Sequence, residues 1–78
     1  MGINMFERLV DIIVNFVEVN KEDITPDSRF MEDLGFTSFD FMSMLGELED
    51  EFDIEIPNSQ IKKFKTVKDI IKFIESEI

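Results

Sequence analysis

Ser38 is the hydroxyl whose place in the sequence suggests chemistry. It follows Thr37, a good helix N-cap, and takes the first position of a helix read over residues 38–52. The stretch Asp33-Leu34-Gly35-Phe36 comes just before, where a loop gives way to that helix. A serine there projects its hydroxyl outward at a defined corner, between an acidic helix and an apolar loop. Serines are common at helix starts, so position alone leaves an ordinary helix-start serine and a functional hydroxyl both open. Catalysis from within the chain is disfavoured by composition. The sequence contains no His and no Cys, so neither a Ser–His nor a Cys–His pair can form. The same absence removes disulfides, thiolates and the commonest metal ligands. The carboxylates over residues 47–55 fall on an expected surface and read as solvated. The Asp-x-Asp-x-Asp-Gly pattern of a calcium loop is missing, as are GxGxxG and a phosphate-binding loop. No catalytic residue and no metal site are therefore expected.

The charge surrounding this corner is lopsided. Of 18 acids and 8 bases, residues 30–61 hold nine acids and no base, whereas residues 62–78 hold five bases and three acids. A solvated face kept soluble by repulsion and a docking surface for basic partners both fit that block. The net charge of −10 argues against nucleic acid, whose phosphates need Lys and Arg, and against anionic membrane surfaces.

The elements that would position Ser38 can be read from apolar spacing. At 78 residues the chain has room for one core, so a single domain over 1–78 is expected. Ile3, Phe6, Leu9, Val10, Ile13, Phe16 and Val17 recur at helical steps and predict an amphipathic helix over 3–17. Residues 18–36 contain turn formers but also Val19, Ile24, Phe30, Met31, Leu34 and Phe36. That mixture predicts an ordered loop pinned across the core.

Thr37 can accept the N–H of Asp40 in a capping-box-like start to the second helix. At about 100° per residue, Phe41, Met44, Leu45, Leu48 and Phe52 share one stripe, while Phe39 and Met42 fall on the opposite side, near Gly46, Glu49 and Asp50. An apolar pair rimmed by acids predicts a small contact patch. Asn58 is expected to cap a short helix over 59–64 that buries Ile61 and Phe64. Thr66, with Asp69 at N3, is expected to cap a last helix whose core face is Val67, Ile70, Ile71, Ile74 and Ile78. No strand pattern is convincing. The expected fold class is all-α, a small bundle of three main helices plus one short helix, with a long ordered first loop. No targeting segment and no apolar run of the ~20 residues a membrane span needs is visible. A cytoplasmic location is the default expectation.

Three stretches carry a resemblance. Glu32-Asp33-Leu34-Gly35-Phe36-Thr37-Ser38-Phe39-Asp40 resembles the attachment motif of acyl carrier proteins, usually Asp-Leu-Gly-x-Asp-Ser-Leu-Asp. Leu48-Glu49-Asp50-Glu51-Phe52-Asp53-Ile54-Glu55-Ile56-Pro57 is similar to the end of that family's second helix and its Ile-Pro exit. Lys65-Thr66-Val67-Lys68-Asp69 is similar to the Thr-Val start of its last helix. The three occur in order and with the right spacing, and the chain length and helix order agree over essentially the whole sequence.

The resemblance implies that Ser38 carries a 4′-phosphopantetheine arm. A separate phosphopantetheinyl transferase would attach it from coenzyme A with Mg²⁺. The arm's thiol would hold acyl groups as thioesters, which fits a chain without Cys. It further implies a carrier rather than an enzyme, with acyl-transfer and chain-elongation enzymes as partners that dock through basic patches. Thr37, Phe39, Asp40, Met42, Glu49 and Asp50 would form the docking face, and Phe41, Met44, Leu45, Leu48 and Phe52 the acyl-chain pocket. A monomer without stable membrane insertion is expected. The sequence also departs from the family's pattern. Thr37 replaces the usual Asp, Phe39 replaces the usual Leu, and Ser43 and Asn58 stand where acids are common. Fatty-acid synthesis and a specialised polyketide, lipid or aminoacyl pathway both remain open. So does a carrier-like interaction domain that binds partners without a prosthetic group.

Overall fold

The computed structural model describes residues 4–78. Four helices follow in order: α1 (Met5–Ile13), α2 (Ser38–Phe52), α3 (Asn58–Ile61) and α4 (Val67–Glu77). A 3₁₀ turn over Lys21–Asp23 interrupts the first loop, and the described residues contain no strand. This is the all-α arrangement expected of an acyl-carrier-like bundle.

α1 begins where Asn4 caps it. The Asn4 side chain accepts the Glu7 N–H at 2.8 Å, and the Glu7 carboxylate takes the Asn4 N–H at 3.4 Å. The expected start at Ile3 lies outside the described residues. The helix also ends at Ile13, four residues short of the expectation. Asn15 N–H reaches Ile12 O and Phe16 N–H reaches Ile13 O, so the last turn tightens to i→i+3 bonding. Phe16 and Val17 stay half-buried in this turn, and the Phe16 ring lies 6.4 Å from Phe36. Ile12, which the apolar spacing left out, is buried beside Leu9, Val10 and Ile13.

The first loop is ordered as expected, with Ile24, Phe30, Leu34 and Phe36 buried. Met31 departs from the expectation and is 47% exposed. The loop is fastened to the start of α4. Phe30 N–H donates to Lys65 O, Val67 N–H to Ser28 O and Lys68 N–H to Pro26 O, making one isolated antiparallel bridge at Arg29 and Thr66. These bonds satisfy backbone groups that burial would otherwise strand. Phe30, Phe36 and Phe41 pack edge-to-face or tilted, with centroids 5.2–6.4 Å apart, and tie the loop to the first turn of α2.

α3 is shorter than expected and begins a residue earlier, with Pro57 at the cap and no side-chain cap bond. Phe64 is buried beyond its end, and Ile61 is half-buried. Four residues give only one turn, so tertiary contacts hold it. α4 starts after Thr66 as expected, but the Thr66 hydroxyl is left without a partner and Asp69 supplies the cap. The Asp69 carboxylate accepts the N–H groups of Lys65 and Thr66, each at 3.0 Å. Val67, Ile70 and Ile74 are buried, but Ile78 is 68% exposed. It is the residue just past the end of α4. Phe73, absent from the expected face, packs on Phe64 at 5.5 Å.

Candidate functional site

The corner at Ser38 is built by residues 29–37. Asp33 and Leu34 both donate their N–H to Arg29 O, closing one helical turn. Gly35 then reverses the chain at φ +75°, a region that costs any residue with a Cβ. Phe36 N–H returns to Phe30 O at 3.0 Å, and the chain delivers Thr37 to the start of α2. The side chains of Arg29 and Asp33 brace this turn through paired bonds of 3.1 Å, with Glu32 as a second partner of Arg29 at 3.1 Å. Hydrogen bonding from Arg29 holds the Asp33 carboxyl below its ordinary range, and Asp33 in turn raises Arg29 above its own.

Thr37 caps α2 by accepting the Asp40 N–H at 3.1 Å, the part of the expected capping box that forms. Ser38 is exposed on the first turn of this 15-residue helix. The positive end of the helix dipole suits an anionic substituent there. Beside Ser38 opens a groove of about 340 Å³. One wall is Phe41 and Met42 of α2; the other includes Met31, Ile61 and Phe64, and Arg29, Glu32, Lys62 and Lys65 also line it.

The expected docking residues do not all stand alike. Phe39 is 79% exposed and Met42 50% exposed, so the off-stripe pair is solvent-facing as expected. Thr37 and Asp50 are exposed, and Asp40 is half-buried. The Glu49 carboxylate is engaged within the fold, accepting the Ile56 N–H at 2.8 Å. It fastens the stretch after α2, where Asp53 turns through the left-handed region at φ 54°.

Of the five residues expected to line an acyl pocket, Phe41, Met44, Leu45 and Leu48 are buried. Phe52 is half-buried under the Arg8 guanidinium, 4.4 Å from its ring centroid. Phe41 lines the Ser38 groove. Leu45 lines an adjoining hollow of about 240 Å³ with Met42, Ile56 and Ile61. Met44 and Leu48 are fully enclosed. The far wall, Met31, Ile61 and Phe64, was not singled out as a site from the sequence. Those residues meet α2 only through the tertiary fold, and Met31 alone carried a signal, as a large apolar residue adjoining the motif.

Around an exposed serine, the fold thus assembles a helix N-terminus and a groove of apolar side chains with charged residues among its lining, an arrangement suited to a small helical carrier of an attached group. The comparisons place it more closely. Residues 7–74 match the family model described as phosphopantetheine attachment site. The chain is similar to the acyl carrier protein of Chlorobium phaeobacteroides, 44% identical over 68 residues, or 87% of each chain. It is also similar to those of Clostridium perfringens, 40% identical over 90% of this chain and 92% of the relative, and Helicobacter hepaticus, 39% identical over 91% and 93%. The chain belongs to the acyl carrier protein family, whose members are carriers rather than catalysts and hold 4′-phosphopantetheine covalently. No described helix is long and apolar enough to cross a membrane.

Proposed function

We propose that Ser38 is the attachment point of 4′-phosphopantetheine and that residues 1–78 act as one carrier domain for acyl groups, monomeric and cytoplasmic. The observation that carries this reading is the exposed Ser38 hydroxyl at the start of α2, beside a groove lined in large part by apolar side chains. When bound, the group supplies a thiol that holds an acyl chain as a thioester. The chain's own residues do the rest. The α2 N-terminus favours the phosphodiester. Phe41, Met42, Ile61 and Phe64 offer apolar surface that keeps water from a chain laid against them. Phe39 and Met42, within a rim that includes Asp40 and Asp50, serve as the contact patch for the transferase and for acyl-handling enzymes with basic docking surfaces. Fatty-acid synthesis is the pathway we favour, because the relatives matched over most of the chain are named acyl carrier protein without a specialised qualifier.

The test is intact mass. Incubation with coenzyme A, Mg²⁺ and a broad-specificity phosphopantetheinyl transferase is expected to add one phosphopantetheine per chain, and Ser38→Ala is expected to add none. An unchanged mass with a transferase active on another carrier would reject the attachment. It would leave the interaction-domain reading in its place.

A further inference from the structure

The surface around Ser38 carries both signs of charge, and the positive side has no internal use. Arg8, Lys21, Arg29 and Lys68 each form an ion pair with Glu or Asp at 2.7–3.1 Å. Among the described residues Lys62, Lys63, Lys65 and Lys72 form none, although 18 acids are available in the chain. Lys62 and Lys65 line the Ser38 groove on the α3 side; Arg29 and Glu32, which also line it, are paired with each other at 3.1 Å. Across the groove, α2 turns Met42 toward α3, and Glu47 and Asp50 stand exposed further round the helix. Between the two signs lies apolar surface. Met31, Met42 and Phe39 are three of the four large exposed hydrophobics of the described chain, and Met31 and Met42 line the groove itself. A uniformly basic partner would satisfy α2 and be repelled by the lysines.

Building on the carrier reading, we infer that this surface selects a protein partner whose docking face is itself two-signed: basic where it covers α2, acidic where it covers Lys62 and Lys65, and apolar between. Like-charge juxtaposition is how such a surface rejects the wrong partner. The lysines then sort enzymes that a wholly acidic carrier would accept.

The test uses the unmodified chain, so it is independent of whether Ser38 takes the arm. Two helical peptides share one apolar stripe containing a Trp; the first has Lys on one edge and Glu on the other, and the second has Lys on both. The protein has no Trp or Tyr, so peptide fluorescence reports binding cleanly. Reversing Lys62→Glu with Lys65→Glu is expected to shift the preference about tenfold toward the all-Lys peptide, and the shift is expected to vanish in strong salt. Lys63→Glu with Lys72→Glu makes the same change of net charge beside α4, away from the groove, and is expected to leave the preference near its native value. Equal shifts for both pairs, no shift for either, or no binding of either peptide would each overturn the inference. None of these results would touch the mass test at Ser38.

Discussion

Asp33 grips Arg29 through both carboxylate oxygens. Oδ2 accepts the Arg29 N–H at 2.9 Å and Nε at 3.1 Å, and Oδ1 accepts Nη2 at 3.1 Å. The fork closes the turn that delivers Thr37 and Ser38, so a residue of the attachment motif acts at the site through the backbone. Because side-chain hydrogen bonding from Arg29 lowers the folded-state pKa of Asp33 beneath its ordinary 3.8, the stability it contributes is fully present above that value. It is lost as pH falls through the still lower folded pKa. Asp33→Asn is therefore expected to melt below the native protein at about pH 7, with the gap closing below about pH 4. Thermal melts by circular dichroism across that range check this; a gap that persists in acid would mean that shape rather than charge holds the turn.

Asp69 works by the same chemistry at α4. Desolvation pushes its carboxyl up, but N–H donation from Thr66 and Lys65 outweighs this and leaves it below its usual value. Asp69→Ala frees two N–H groups at a helix start, a change of about 1 kcal/mol, or about 4–8 °C in a domain of this size. The loss extends beyond α4, because Lys65 also anchors Phe30 in the first loop. Hydrogen exchange is expected to show the amides of Phe30 and Val67 losing protection together in this variant.

How much of this could be read beforehand depends on where each signal resides. α2 and its Thr37 cap were legible because a cap, an acidic N3 and an apolar stripe agree locally. The exposure of Phe39 and Met42 followed from the same rotation. The end of α1 was not legible, since no Gly or Pro follows Ile13 and the apolar spacing runs on through Phe16 and Val17. Those two residues are half-buried as the spacing implied, but from a tight turn that their packing selects. Glu49 read as one more surface acid, because its bond to Ile56 crosses seven residues and depends on the left-handed turn at Asp53. The groove was half legible: its α2 wall lies on one helix, whereas Met31, Ile61 and Phe64 meet only in the folded chain.

Glu49 permits charge and structure to be separated. Glu49→Gln keeps an oxygen for the Ile56 N–H while removing the charge, and Glu49→Ala removes both. Ile56 is buried, so its orphaned N–H is expected to cost about 1–3 kcal/mol in the alanine variant and much less in the glutamine variant. If Glu49 also docks partners, the glutamine variant will be modified at Ser38 more slowly at low salt with its melting temperature nearly unchanged. If it acts only within the fold, glutamine will behave as native in both measurements.

The left-handed turn at Asp53 offers the opposite sign of change. A non-glycine residue at φ 54° bears a steric cost that glycine avoids. Asp53→Gly is expected to raise stability by about 0.5–1 kcal/mol, since relief of that cost exceeds the added freedom of the unfolded chain. Denaturant midpoints with an unchanged m-value would establish it. A lower midpoint would show that the Asp53 side chain does more for this turn than its backbone strain costs.

Phe39 separates docking from stability more sharply than any other residue near Ser38. Its side chain is 79% exposed, so truncation removes little buried surface. Phe39→Ala is expected to alter folding stability by no more than about 0.5 kcal/mol. If the ring is an apolar anchor within an acidic rim, transferase modification of Ser38 is expected to slow about tenfold or more, the loss of one interface anchor. The defect should persist in high salt, because the lost contact is apolar, whereas a defect from Asp50→Asn should shrink as salt screens it. Native rates for Phe39→Ala at both salt concentrations would remove the ring from the docking face and leave Met31 and Met42 as its apolar centre.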